Sequence, residues 1–134
     1  MKNILHVVFA VIVLLPYAGS AEIQKVTDGN AKVKVGVILP LSGEGATIGD
    51  GIRNGIALGL TELSPETRNK IEVVYEDDAL LPKNTVTAFN RLVGIHNIDV
   101  VINVSSGTSN AIAPLTEQKK IPFIAIASDP IFFI

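Results

Sequence analysis

The chain has 134 residues, no cysteine, 48% hydrophobic residues and 5% aromatic ones, and 11 basic residues against 13 acidic ones for a net charge of −2. The lack of cysteine excludes a disulfide framework, a thiol nucleophile and a lipid-bearing cysteine at a processing site. A mildly acidic chain with scattered charges has no electrostatic footprint for nucleic acid, which is not expected as a partner.

In chain order, Met1 to Ser20 carries one lysine, an apolar run from Ile4 to Leu15, a break at Pro16 and small residues from Ala18 to Ala21. This is the layout of a secretory signal peptide, and the run is shorter than the roughly 20 residues a membrane-spanning helix needs. Cleavage after Ser20 or Ala21 is expected, with export to the periplasm. Removing 1–21 takes away only Lys2 among the formal charges, and what is left suffices for one modest domain. Residues 22–31 are polar and read as a loose arm.

From Lys32 to Leu39 the sequence KVKVGVIL alternates and then turns wholly apolar, as a buried strand does. Ile52, Ile56, Leu60 and Leu63 recur at helical spacing, and Ser64-Pro65 closes that helix. IEVVYEDD, from Ile71, is a second strand. Pro82 suits the first turn of a second helix in which Val86, Phe89 and Val93 share a face. IDVVINV is a third strand, SNAIAPLTEQKK a third helix and IPFIAIA a fourth strand. Strands alternating with helices over short links make an α/β fold, a doubly wound parallel sheet of four strands and three helices with right-handed crossovers. In such sheets ligands sit beyond the carboxyl ends of the strands, where the order reverses. An order 2-1-3-4 brings forward the loops PLSGEGATIG, SSGTS and ASDP, all rich in small and hydroxyl residues.

The first loop is not a nucleotide loop. Gly43, Gly45 and Gly49 miss the dinucleotide spacing by one residue, and no lysine occurs between Lys34 and Lys70 to complete a Walker motif. Backbone freedom is the plainer use of Gly43 and Gly45. Gly51, Gly55 and Gly59 recur every fourth residue and are expected to let the first helix pack closely on the sheet. Catalytic groups are scarce: with His6 in the signal peptide, His96 is the one imidazole of the mature chain, in a polar turn before a strand. No catalytic residue, metal ligand set or cofactor is expected. Glu76, Asp77 and Asp78 read as carboxylates that hydrogen-bond a loop and favour the next helix start, ahead of a cation site. Asn103-Val104-Ser105 matches the glycosylation sequon by chance at a strand end.

VKVGVILPLSGEGATIGDGIRNGIALGLTEL, YEDDALLPKNTVTAFNRLV and VINVSSGTSNAIAPLTEQKKIPFIAIASDP together resemble the amino-terminal lobe of the branched-chain amino acid binding proteins of ABC transporters, over Lys32 to Pro130. The resemblance implies a type I periplasmic binding protein, a non-enzymatic receptor that closes two lobes on an amino acid or related small polar solute and delivers it to a membrane permease. It also assigns roles. Ser105 and Ser106 would receive the carboxylate with the N–H groups of the following helix, and helix capping is the competing use of the same hydroxyls. Ile126, Ala127 and Ser128 would offer a main-chain carbonyl and a hydroxyl to the ammonium, with Ser128 where relatives often carry threonine. Ile48 lies where relatives often place an aromatic over the ligand side chain. Relatives are several hundred residues long, so 32–134 is expected to be a partial lobe of a truncated chain. Two other function classes are left open: the sensing domain of a receptor or regulator with the same fold, and an exported α/β hydrolase or other enzyme, against which neither G-x-S-x-G nor a histidine partner appears.

Overall fold

The computed structural model describes residues 31–128, so the expected signal peptide and most of the expected arm lie outside the described residues. Residues 32–128 belong to one compact unit. Four strands, β1 (Val33–Leu39), β2 (Ile71–Asp77), β3 (Val100–Val104) and β4 (Phe123–Ile126), alternate with helices α1 (Ala46–Glu62), α2 (Pro65–Asn69), α3 (Pro82–Arg91) and α4 (Ser106–Lys119). All pairings are parallel, in the order β2-β1-β3-β4. The doubly wound α/β sheet and its order agree with the sequence reading.

The boundaries depart from that reading in three places. Ser64-Pro65 ends α1 but also opens α2: the Ser64 hydroxyl accepts from the Thr67 backbone N–H at 3.2 Å, and Pro65 stands where its missing N–H costs nothing. After α3 the chain continues as a wider π turn over Leu92–His96 and leaves it through Asn97 in the left-handed region. The third long helix begins at Ser106, three residues ahead of the expected Ser109.

One face of the sheet carries the core. Ile38 of β1 and Val101 of β3 pack with Ala88, Phe89, Leu92, Ile98 and Ile112, all buried, under α3 and α4. Gly36 belongs to this face because any Cβ there would meet Leu92 and Ile98 at 2.9 Å. Strand alternation sends Val35, Val37 and Leu39 to the other face. That face lies under α1, and on it burial raises the Tyr75 hydroxyl above its usual range while the positive charge of Arg53 opposes that rise. On β4, Phe123 turns to the core, whereas Ile124 and Ile126 keep 53% and 51% of their surface open.

The glycine stripe of α1 does not do what was expected. Nothing among the described residues comes within 4 Å of a Cβ built on Gly51, Gly55 or Gly59, so these glycines do not press the helix onto the sheet. The packed turn of α1 rests on Ile52, Ile56 and Leu60, which are half-buried.

Candidate functional site

The strand order sets the carboxyl ends of β1, β3 and β4 side by side, and three loops leave from them. The loop after β1 is shaped by three glycines with two separate causes. Gly43 takes φ 69°, a left-handed angle that a side chain disfavours. Gly45 and Gly49 are required by contact: a Cβ on Gly45 would lie 2.7 Å from Leu80 and from Pro40, and one on Gly49 would lie 2.0 Å from the Pro40 carbonyl oxygen. The turn is drawn tight against the end of its own strand, which supports the backbone reading of these glycines over phosphate cradling. Ile48, two residues into α1, is 60% exposed.

The second loop turns at Ser105. Its backbone is at φ 91° and ψ 138°, a region that residues with a Cβ rarely enter and that is retained only where the surroundings enforce it. The enforcing contacts are visible. Ser105 N–H donates to the Ile126 carbonyl at 3.0 Å, and the Ser105 carbonyl accepts from Ser109 N–H at 3.0 Å. Ser105 stands at the N-cap of α4 yet its side chain makes no capping bond, so capping does not account for this hydroxyl. Ser106 is the first residue of α4 itself. Both serines are half-buried.

The third loop follows β4. Because the Ile126 carbonyl already receives Ser105 N–H, Ala127 carries the next carbonyl along the strand, beside the exposed Ser128. The Ile126 side chain lies on the α1 face together with Ile124. The sheet thus brings the ends of the second and third loops into direct contact, and the loop that leads to Ile48 leaves the neighbouring strand β1.

Behind the loops lies a buried polar network that sequence reasoning missed. Asp78, Thr85, Asn103, Thr108 and Ser109 are each at most 1% exposed. The Asp78 carboxyl accepts Leu80 N–H at 2.9 Å, the Thr85 hydroxyl at 3.0 Å and the Asn103 amide at 3.4 Å. Asn103 also donates to the Ile38 carbonyl at 3.3 Å and accepts from Ser109 Oγ at 2.7 Å and Thr108 Oγ1 at 3.0 Å. Among the described residues no buried side-chain polar atom lacks a partner, as burial at this depth requires. The buried amide of Asn103 is spoken for, which agrees with treating its sequon as chance.

Asp77 is exposed and serves the first loop. Its Oδ1 accepts the N–H groups of Leu41 at 2.8 Å, Ser42 at 3.2 Å and Ala79 at 2.9 Å. Desolvation pushes its pKa up, but the Ser42 hydroxyl and these three N–H groups together outweigh it and hold the carboxyl below its ordinary range. Glu76 pairs instead with Arg91 of α3. Asp77 and Asp78 thus bond loops as the sequence reading had them, whereas Glu76 pairs with the last residue of α3 and not with the start of that helix. His96 is half-buried, and its carbonyl accepts from Lys34 Nζ at 3.1 Å, at the opposite end of the sheet from these loops.

Residues 32–130 match the family described as "Periplasmic binding protein". The chain belongs to this family. A Leu/Ile/Val-binding protein of Rhizobium johnstonii is 34% identical over 60% of this chain and 23% of its own. Among solved structures, a solute-binding protein of an ABC transporter from Rhodopseudomonas palustris, in complex with 3,4-dihydroxybenzoic acid, is 32% identical with a TM-score of 0.64, over 72% of this chain and 27% of that one. A leucine-binding protein of Thermotoga maritima is 28% identical with a TM-score of 0.67, over 74% of this chain and 29% of that one. The chain thus spans about a quarter of the length of these relatives. The matched region of this periplasmic binding protein contains all four strands and the three loops that leave β1, β3 and β4.

Proposed function

We propose that this chain supplies one wall of a solute site in an ABC transporter receptor, and that the solute is an amino acid of the branched-chain class captured in the periplasm. The observation that carries the reading is the Ser105 turn. A strained, non-capping serine is held at the N-terminus of a fourteen-residue helix and hydrogen-bonded to the strand whose end carries Ser128. A helix N-terminus with hydroxyls beside it suits a carboxylate. The Ala127 carbonyl and Ser128 hydroxyl, one strand away, suit an ammonium. Ser105, Ser106, Ala127 and Ser128 are the proposed polar contacts, with Ile126 anchoring the turn through its carbonyl. Ile48 is the proposed apolar contact. Export past a cleaved signal peptide and delivery to an inner-membrane permease complete the reading, and neither a cofactor nor a catalytic step enters it.

A second ligand class has a specific observation behind it. The Rhodopseudomonas relative holds an aromatic acid and the Thermotoga relative is a leucine-binding protein. Both ligands present a carboxylate, and only the amino acid presents an ammonium. Titration of the chain with L-leucine, L-isoleucine, 3,4-dihydroxybenzoate and a sugar separates the cases. Saturable binding of the amino acids, weakened by Ser128→Ala, supports the proposal. Binding of the aromatic acid alone would replace the amino acid with an aromatic carboxylate, and binding of the sugar alone would refute both.

A further inference from the structure

Asp77 and Asp78 are neighbours in sequence, and alternation at the end of β2 sends their side chains to opposite faces of the sheet. The loop after β1 climbs toward α1 on one face, and α3 and α4 lie on the other. Each carboxyl therefore meets a different ligand loop. Asp77 takes the N–H groups of Leu41 and Ser42. Asp78 takes the Asn103 amide, whose carbonyl oxygen in turn takes Ser109 Oγ and Thr108 Oγ1 in the first turn of α4. Thr108 Oγ1 also lies 2.8 Å from the Val104 carbonyl, next to the strained Ser105.

We infer that this aspartate pair is a brace for ligand capture: Asp77 positions the loop after β1, and Asp78, through Asn103, positions the Ser105–Ser106 turn. The inference rests on the solute-site reading above and extends it to residues that touch no ligand. The pair also holds its own loop. Ala79 and Leu80 both adopt left-handed angles, φ 49° and 61°, and their N–H groups are taken by Asp77 and Asp78 respectively. Leu80, fixed in this way, packs against the Gly45 position of the first loop. One dipeptide thus sets the spacing between two loops that reach the site from different strands.

The test is an amide-resolved NMR titration of the full chain with L-leucine as the probe. Asp77 is exposed, so Asp77→Ala is expected to fold, and Asp77→Asn keeps an oxygen acceptor for the loop N–H groups. In the core, Ser109→Ala is the milder counterpart of Asn103→Ala and is the variant used. The brace predicts that Asp77→Ala weakens leucine binding about five- to tenfold and that Asp77→Asn restores most of it. It also predicts that leucine-induced shifts at Leu41 and Ser42 are lost in Asp77→Ala while those at Ser105 to Gly107 persist, and that Ser109→Ala shows the reverse pattern. A loss of melting temperature in Asp77→Ala with parental leucine affinity would overturn the inference and leave the aspartates as stabilising groups only. Equal loss of shifts at both loops in either variant would also overturn it. Absence of leucine shifts in the parent chain would instead overturn the solute-site reading.

Discussion

The two faces of the sheet are built differently. Under α3 and α4, Ile38, Phe89, Leu92, Val101 and Ile112 leave no surface to solvent. Beneath them, toward the loops, lies the satisfied polar network of Asp78 and Asn103. On the α1 face, Val37 and Leu39 are covered, while Ile124 and Ile126 of β4 are half open and the glycine stripe of α1 has free space around it. The first face holds the turn at Ser105 through Asn103 and Ser109, and on the second Asp77 holds the loop after β1 while β4 is left open. Stability and loop geometry should therefore respond to changes on the α3/α4 face and barely to changes along the outer side of α1.

The largest effect is expected from Phe89→Ala, which removes the biggest fully buried side chain. A loss of about 3–5 kcal/mol is typical for such a truncation, a large fraction of the about 5–15 kcal/mol that holds a domain folded, and it should move the midpoint of a chemical denaturation series well down. Retention of parental stability would show that the core is not where the structure puts it.

Gly49→Ala and Gly55→Ala sharpen the contrast within one helix. A Cβ at position 49 would collide with the Pro40 carbonyl, so the variant should lose about 1–3 kcal/mol and shift the amides of Leu41 and Ser42. At position 55 there is open space, and alanine favours the helix by about 0.4–1 kcal/mol. Opposite signs in paired thermal melts are the expected outcome.

A pH series addresses the first loop. The folded pKa of Asp77 is depressed relative to the unfolded chain, so its contribution is complete above the unfolded value, about pH 4, and is lost as pH falls through the folded one. The amide signals of Leu41, Ser42 and Ala79 should titrate together below that point, and Asp77→Asn should remove the transition. Because the carboxylate is exposed, the accompanying change in global stability is expected to be small.

Much of this architecture was legible in the residues. Apolar strands with β-branched side chains, helical spacing in two of the long helices and short links were sufficient for the parallel sheet, whereas its order entered only as a condition that the strand pairings then met. Ser64-Pro65 was harder, because a proline after a serine both stops one helix and starts the next, and only the Thr67 hydrogen bond distinguishes the cases. The start of α4 was misplaced because Ser-Ser-Gly reads as loop, and the helical turn there is enforced by Asn103, Thr108 and Ser109 across the network. Asp78 and Asn103 are 25 residues apart, beyond the reach of any local pattern. The glycine stripe misled for a related reason: spacing shows which side chains share a helix face, but not whether anything lies against it.

The measurement that bears most directly on the account is residue-resolved binding of L-leucine to the chain, followed through the amides of Ser105, Ser106, Gly107, Ala127 and Ser128. The account predicts saturable shifts concentrated at these residues and at the loop carrying Ile48, with weak affinity because a single wall leaves the solute open to water. Shifts confined to the exposed Ile124 and Ile126 face, or no shifts with leucine at any concentration, would contradict it.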